Sequence, residues 1–204
     1  MGHRHKIACF LQISNPKGVA MRYQLRKTIT FVGMMGAGKT SIGKLVAQKF
    51  GVKFVDSDHE IEKAANMSVT EIFARDGEQF FRAKESQILE RLLQREPCIL
   101  STGGGAYISE VNRAMISEYG VAVWLKADID LLWSRIHQKK TRPLLSVENP
   151  YQTLSDLYKK RSPIYAKAEI IVESEQNLGV EEMVKKVIEI LIKTPGSSVK
   201  IKAG

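Results

Sequence analysis

Eight consecutive residues, Gly33-Met34-Met35-Gly36-Ala37-Gly38-Lys39-Thr40, satisfy the pattern G-x-x-x-x-G-K-[ST] in full. Glycines at this spacing admit positive φ, so successive N–H groups can turn into one concave anion nest. A helix opening near Lys39 would add unpaired N–H groups and the positive end of its dipole. Such a cradle suits the phosphates of a nucleoside triphosphate, with the Lys39 ammonium on the β- and γ-phosphates and the Thr40 hydroxyl on Mg²⁺. The loop by itself does not separate a kinase from a GTPase or a motor ATPase. The chain holds no guanine-reading N-K-x-D segment, and 204 residues are few for a motor ATPase.

Further groups able to do chemistry follow in order. Asp56 and Asp58 stand just after the apolar pair Phe54-Val55. In extended geometry they project to one side, so one could sit near a metal and the other near an acceptor hydroxyl. Asp58 or Ser57 would also serve as a helix cap. Arg82 and Glu85, three apart on a predicted helix, allow the carboxylate to hold the guanidinium, although a bare surface pair is worth little. Gly103, Gly104 and Gly105 adjoin a predicted strand, where backbone can approach a ligand closely. The run Lys139-Lys140-Thr141-Arg142-Pro143-Leu144-Leu145 reads as a mobile lid whose arginine closes on phosphates. Lys159-Lys160-Arg161-Ser162-Pro163-Ile164-Tyr165 reads as a second cationic turn. Taken singly, each basic patch also fits a solvated face.

The elements that must position these groups alternate. β-rich or apolar runs are expected as strands at 28–32, 53–55, 98–100, 121–125 and 169–172. Helical spacing appears at 39–50, 77–95, 109–119, 128–138 and 180–192. Alternation of this kind predicts an α/β fold: a parallel sheet with helices on both faces and ligands at the carboxyl ends of the strands. Residues 1–24 are expected as a flexible N-terminal extension, 25–194 as one domain with a lid over about 138–150, and 195–204 as a flexible polar tail. Met21, directly ahead of the first strand, reads as an alternative start.

Composition narrows the class. Hydrophobic and charged residues make up 44% and 26%, ordinary for a soluble domain, and no run approaches a membrane-spanning length. The formal charge of +9 would suit nucleic acid, but six of the cations lie in residues 1–27, which contain no acid. About +3 remains, and neither nucleic acid nor membrane is expected as a partner. Cys9 and Cys98 show no metal-ligand spacing and read as reduced thiols of a cytoplasmic protein.

Taken together, the G-x-x-G-A-G-K-T loop, the D-S-D, the D-G-E-x-x-F-R-x-x-E helix start, the G-G-G turn, the R-P-L-L lid and the K-R-x-P-x-Y element resemble the shikimate kinase family. The resemblance spans about 28–192 and places the chain in the nucleoside-monophosphate-kinase-like branch of P-loop enzymes. It implies a three-layer P-loop kinase fold with a central five-stranded parallel sheet and a mobile lid, and a small one-domain kinase of this kind is expected as a monomer. It implies ATP-dependent phosphorylation of the 3-hydroxyl of shikimate, a step towards chorismate and the aromatic amino acids. Gly36, Ala37, Gly38, Lys39, Thr40 and Ser41 would hold the ATP phosphates, Thr40 and Asp56 the Mg²⁺. Asp58 would bind ring hydroxyls and act at or near the general base. Arg82 and Arg161 would clamp the carboxylate of shikimate, and Gly103, Gly104 and Gly105 would meet its ring. Arg142 would close from the lid, making Lys39, Asp58 and Arg142 the catalytic set. One departure stands out: where some members carry an arginine beside adenine, this chain reads Glu173-Ser174-Glu175-Gln176-Asn177. Alternatives from the same motifs are a kinase for another polyol acid such as gluconate, a nucleoside-monophosphate kinase, or a non-catalytic nucleotide-binding module.

Overall fold

In the computed structural model, which describes residues 22–137 and 147–202, strands and helices alternate along the chain. In order they are β1 (Arg22–Leu25), β2 (Thr28–Val32), α1 (Lys39–Phe50), β3 (Phe54–Asp56), α2 (Ser57–Ala65), α3 (Val69–Leu93) and β4 (Ile99–Ser101). A 3-10 turn (Ala106–Ile108), α4 (Glu110–Tyr119), β5 (Gly120–Lys126), α5 (Ile129–Ile136), α6 (Pro150–Tyr165), β6 (Ile170–Glu173), α7 (Val180–Lys193) and β7 (Val199–Lys202) complete the set.

Five strands form one parallel sheet in the order β3-β4-β2-β5-β6. Every residue of β2 is buried, so its Thr-Ile-Thr-Phe-Val sequence is covered on both faces. The edge strand β6 alternates buried and exposed residues instead. From β2 the chain first goes to β3 and β4 on one side and later to β5 and β6 on the other. The loop after β2 therefore lies at the point where the direction of winding reverses, where open α/β sheets bind ligands. This is the three-layer fold expected from the sequence.

Local chemistry sets the helix ends. Ser68 and Glu71 close a capping box on α3. The side chains of Ser109, Asp128 and Asn149 cap α4, α5 and α6. Helix α7 buries Met183, Val184, Val187, Ile188 and Leu191, an apolar stripe at helical spacing.

Four differences from the sequence expectations have physical causes. Helix α3 begins at Val69, and Gly77, the expected start, is a non-helical joint within it (φ 81, ψ 172). The stretch 159–165 is no turn: it is the end of α6, which accommodates Pro163. The tail at 195–204 contains β7, which pairs antiparallel with β1, Arg22 opposite Lys202 and Leu25 opposite Val199. Four residues are too short a run for the alternation of Arg-Tyr-Gln-Leu and Val-Lys-Ile-Lys to stand out, and the long-range pairing defines these strands. Last, Asp58 belongs to α2 and not to an extended segment. Of the expected lid, residues 138–146, Arg142 included, lie outside the described residues. No described helix is long and apolar enough to cross a membrane.

Candidate active site

The loop between β2 and α1 takes up positive φ at Gly33, Gly36 and Gly38 (135°, 83° and 91°). At Gly36 the requirement is twofold, since a Cβ there would also stand 2.7 Å from Ile136 Cγ2 and 3.2 Å from the Leu132 carbonyl. The loop is thus pressed against α5. Lys39, 9% exposed, donates through Nζ to the carbonyls of Gly33 (2.8 Å) and Met34 (3.0 Å). Its ammonium is bent back over the loop, so positive charge sits where anionic oxygens would enter.

Parallel register brings the next groups level with one another: Asp56 of β3 pairs with Ser101 of β4, which pairs with Phe31 of β2. Thr40, in the first turn of α1, donates from Oγ1 to Asp56 Oδ2 (3.0 Å) and lies 3.4 Å from Ser101 Oγ. Asp56 Oδ1 accepts the backbone N–H of Asp58 (3.1 Å) and so caps α2. That cap, not strand alternation, puts the two carboxylates side by side. Asp58 Oδ1 is buried without a hydrogen-bond partner among the described residues. Burial raises the pKa of Asp58, the neighbouring Asp56 and Glu62 add to the rise, and Lys39 and Arg82 oppose it.

Across from Asp58 runs the glycine turn. A Cβ at Gly103 would lie 2.6 Å from Asp58 Oδ1, and one at Gly105 would lie 2.5 Å from both terminal nitrogens of Arg82. A side chain at either position would have to displace the Asp58 carboxylate or the Arg82 guanidinium. Arg82 donates to Glu85 (2.9 Å) and to Glu78 (3.1 Å), and its guanidinium carbon lies 5.2 Å from the centroid of the Phe81 ring. Glu85 is 1% exposed. Burial pushes its pKa up to about 6 against the lowering pull of Arg82. On the far side of the turn, Arg161 Nη1 donates to the Gly104 carbonyl (3.4 Å), and the Tyr165 hydroxyl donates to the same oxygen.

A cleft of about 460 Å³ joins these parts, lined by the loop, Asp56, Asp58, Ser101, Gly103 and Gly104. Arg82, Gly105 and Arg161 stand behind its glycine wall and do not line it. Of the expected site residues, Gly36, Gly38, Lys39, Thr40, Ser41, Asp56, Asp58, Gly103 and Gly104 line the cleft. Ala37, Arg82, Gly105 and Arg161 adjoin it without lining it, and Arg142 lies outside the described residues. Motif reading missed the other end of the cleft: Arg135, Ile136, Leu178, Val180 and Met183. Arg135 also donates to the Gly36 carbonyl (3.3 Å). These residues come from α5, α7 and the approach to α7, and no local pattern links them. The half-exposed Val180, at 49%, is the one visible hint. Among the described residues no cluster of three His, Cys, Asp or Glu could hold a metal unaided. Thr40 and Asp56 are hard oxygen donors, which suits a Mg²⁺ that takes its remaining ligands from phosphate and water.

Comparison with known proteins points one way. Residues 35–192 match the family model for shikimate kinase. A shikimate kinase from Ruegeria pomeroyi is 56% identical over 167 residues, covering 82% of this chain and 86% of its own. One from Cereibacter sphaeroides is 56% identical over 172 residues, covering 84% and 86%. Among solved structures, the shikimate kinase from Acinetobacter baumannii in complex with shikimate superposes with a TM-score of 0.77 at 38% identity, covering 81% of this chain and 92% of that one. With its loop, acid pair and glycine turn assembled on the parallel sheet these relatives share, the chain belongs to the shikimate kinase family.

Proposed function

We propose that the protein transfers the γ-phosphoryl group of ATP to the 3-hydroxyl of shikimate, with the site residues in the roles that follow. One observation carries the reading: a single cleft runs past a phosphate cradle to a buried carboxylate, and two arginines stand behind the glycine wall beyond it. An acceptor that is both polyhydroxylated and anionic fits that order of groups.

ATP phosphates lie on the amides of residues 36–41 and draw the Lys39 ammonium away from its carbonyl partners. Thr40 and Asp56 hold Mg²⁺, which supplies charge neutralisation at the phosphates when bound. The base rests at the end formed by Arg135, Ile136, Leu178, Val180 and Met183, where a guanidinium and apolar side chains face a planar ring. Arg82 and Arg161 bind the acceptor carboxylate, a task for planar two-pronged donors. Asp58 accepts the proton of the attacking hydroxyl as its oxygen bonds to the γ-phosphorus and the bond to ADP breaks. Burial beside Asp56 makes Asp58 a better proton acceptor than an exposed carboxylate. Arg142 offsets the charge that builds on the transferred group. Every role falls on one chain, which suits a monomer.

An ADP-release assay with shikimate, gluconate and AMP as acceptors tests the proposal. Turnover is expected with shikimate alone; turnover with gluconate or AMP, or none with any, overturns it. Arg82→Ala is expected to raise the KM for shikimate by about 30-fold or more while leaving that for ATP unchanged. A loss confined to nucleotide affinity would move Arg82 out of the acceptor site.

A further inference from the structure

We infer that Tyr165 is a positioning residue for the acceptor: its hydroxyl holds the Gly104 carbonyl, fixing the glycine turn and keeping the Arg161 guanidinium available for an anionic group.

The inference rests on the reading of Arg161 as an acceptor clamp. Tyr165 is fully buried. Its ring lies 6.0 Å from that of Trp124 and 6.5 Å from that of Tyr107. Packing of that kind is served equally by phenylalanine, so the hydroxyl needs a separate reason. The hydroxyl donates to the Gly104 carbonyl, and its oxygen also hydrogen-bonds with the Arg161 guanidinium. Burial pushes its pKa up to about 12, which keeps it a neutral donor throughout the working range.

Gly104 sits where the two halves of the cleft meet. A Cβ on it would stand 3.6 Å from the Gly33 carbonyl and 3.7 Å from the Met35 amide, both in the phosphate loop, and 3.7 Å from Arg161 Nη1. Trp124, the neighbour of Tyr165, also backs the loop, its Cδ1 lying 3.1 Å from where a Gly33 Cβ would be. The aromatic group therefore spans from the loop to the acceptor side, and the hydroxyl attaches it to the turn.

Two donors converge on the Gly104 oxygen, Tyr165 at close range and Arg161 at 3.4 Å. While the phenol satisfies the carbonyl, the guanidinium needs only its long 3.4 Å contact there and can turn its fork to a carboxylate. Without the phenol, Arg161 is the remaining side-chain donor among the described residues, because a half-buried carbonyl that loses a partner draws in the next. The cation that should bind the acceptor is then tied to the backbone, and the turn loses its lateral fix.

The test compares wild type, Tyr165→Phe, Arg161→Ala and the double variant by steady-state kinetics, with thermal unfolding in parallel. Tyr165→Phe should raise the KM for shikimate about tenfold, with kcat and the KM for ATP changed less than about threefold. In the double variant, shikimate KM should match that of Arg161→Ala alone, since the hydroxyl acts through that arginine. Equal losses for both substrates in proportion to a lowered Tm, or additive effects in the double variant, would reduce Tyr165 to packing and overturn the inference. Wild type active on shikimate with an unaltered Tyr165→Phe overturns the inference alone. Wild type silent on shikimate overturns the proposed function and the inference with it.

Discussion

Glu85 shows how one buried carboxylate can pull stability and activity in opposite directions. It is enclosed, anchors Arg82 and has one oxygen, Oε1, without a hydrogen-bond partner among the described residues. Burial raises its pKa to about 6 from an ordinary 4.5. A raised carboxyl favours the neutral form in the fold, so its stabilising contribution is present below about 4.5 and is lost as pH rises through 6. The difference is on the order of 2 kcal/mol. Acceptor binding runs the other way, because protonation below 6 removes the charge that orients Arg82. We expect the KM for shikimate to climb as pH falls through about 6 while the KM for ATP does not follow. Glu85→Gln should raise shikimate KM at pH 8, abolish the pH step and raise the Tm at that pH. Kinetics and melting curves from pH 5.5 to 8 measure all three; a step near pH 6 that survives in the variant would assign it to another group.

Elements matter here mainly through how closely their ends approach. The turn after β4 passes so near α2 that Gly103 has no room for a methyl beside Asp58. Gly103→Ala must therefore move the carboxylate or the turn, and a displacement of about 1 Å can cost up to 100-fold in turnover. We expect kcat to fall by about 10- to 100-fold with nucleotide binding intact, read by kinetics beside nucleotide titration; unchanged kcat would mean that Asp58 can shift freely. The same closeness explains what was legible in the sequence. The phosphate loop could be read outright because its chemistry is local: eight adjacent residues make the cradle. Asp58, Arg82 and the glycine turn could be read as site residues only through their order, since nothing local joins α2, α3 and β4. Arg135 and Val180 escaped because two distant helices create their shared wall. Helix α6 read as a turn because its last residues combine charge with Pro163, features that mark loops when neighbours are unknown.

At the scale of the whole molecule, the catalytic sheet is tied off at its amino end by the ribbon of β1 and β7. Strand β1 leads through two residues into the start of β2, while the phosphate loop leaves from the other end of β2. The ribbon brings the two ends of the described chain together through four register pairs, and the Arg26 N–H adds a bond to the Ser198 carbonyl (2.9 Å). Tyr23 packs its ring 4.7 Å from that of Phe50 at the end of α1, and Leu25 is buried in the core. Without β7, β1 keeps its apolar contacts but loses its only strand partner among the described residues. A few net hydrogen bonds at about 1 kcal/mol each set the scale of that loss. For a chain of this size each kcal/mol lowers Tm by about 2–4 °C, so deletion of residues 195–204 should cost roughly 5–10 °C. Because the ribbon lies at the end of the sheet away from the cleft, kcat and both KM values at 25 °C should stay within about twofold of wild type. Calorimetry and steady-state kinetics on the shortened chain separate the possibilities. An unchanged Tm would show that the ribbon contributes nothing to stability, whereas a changed KM would show that strain at the amino end of β2 reaches the phosphate loop.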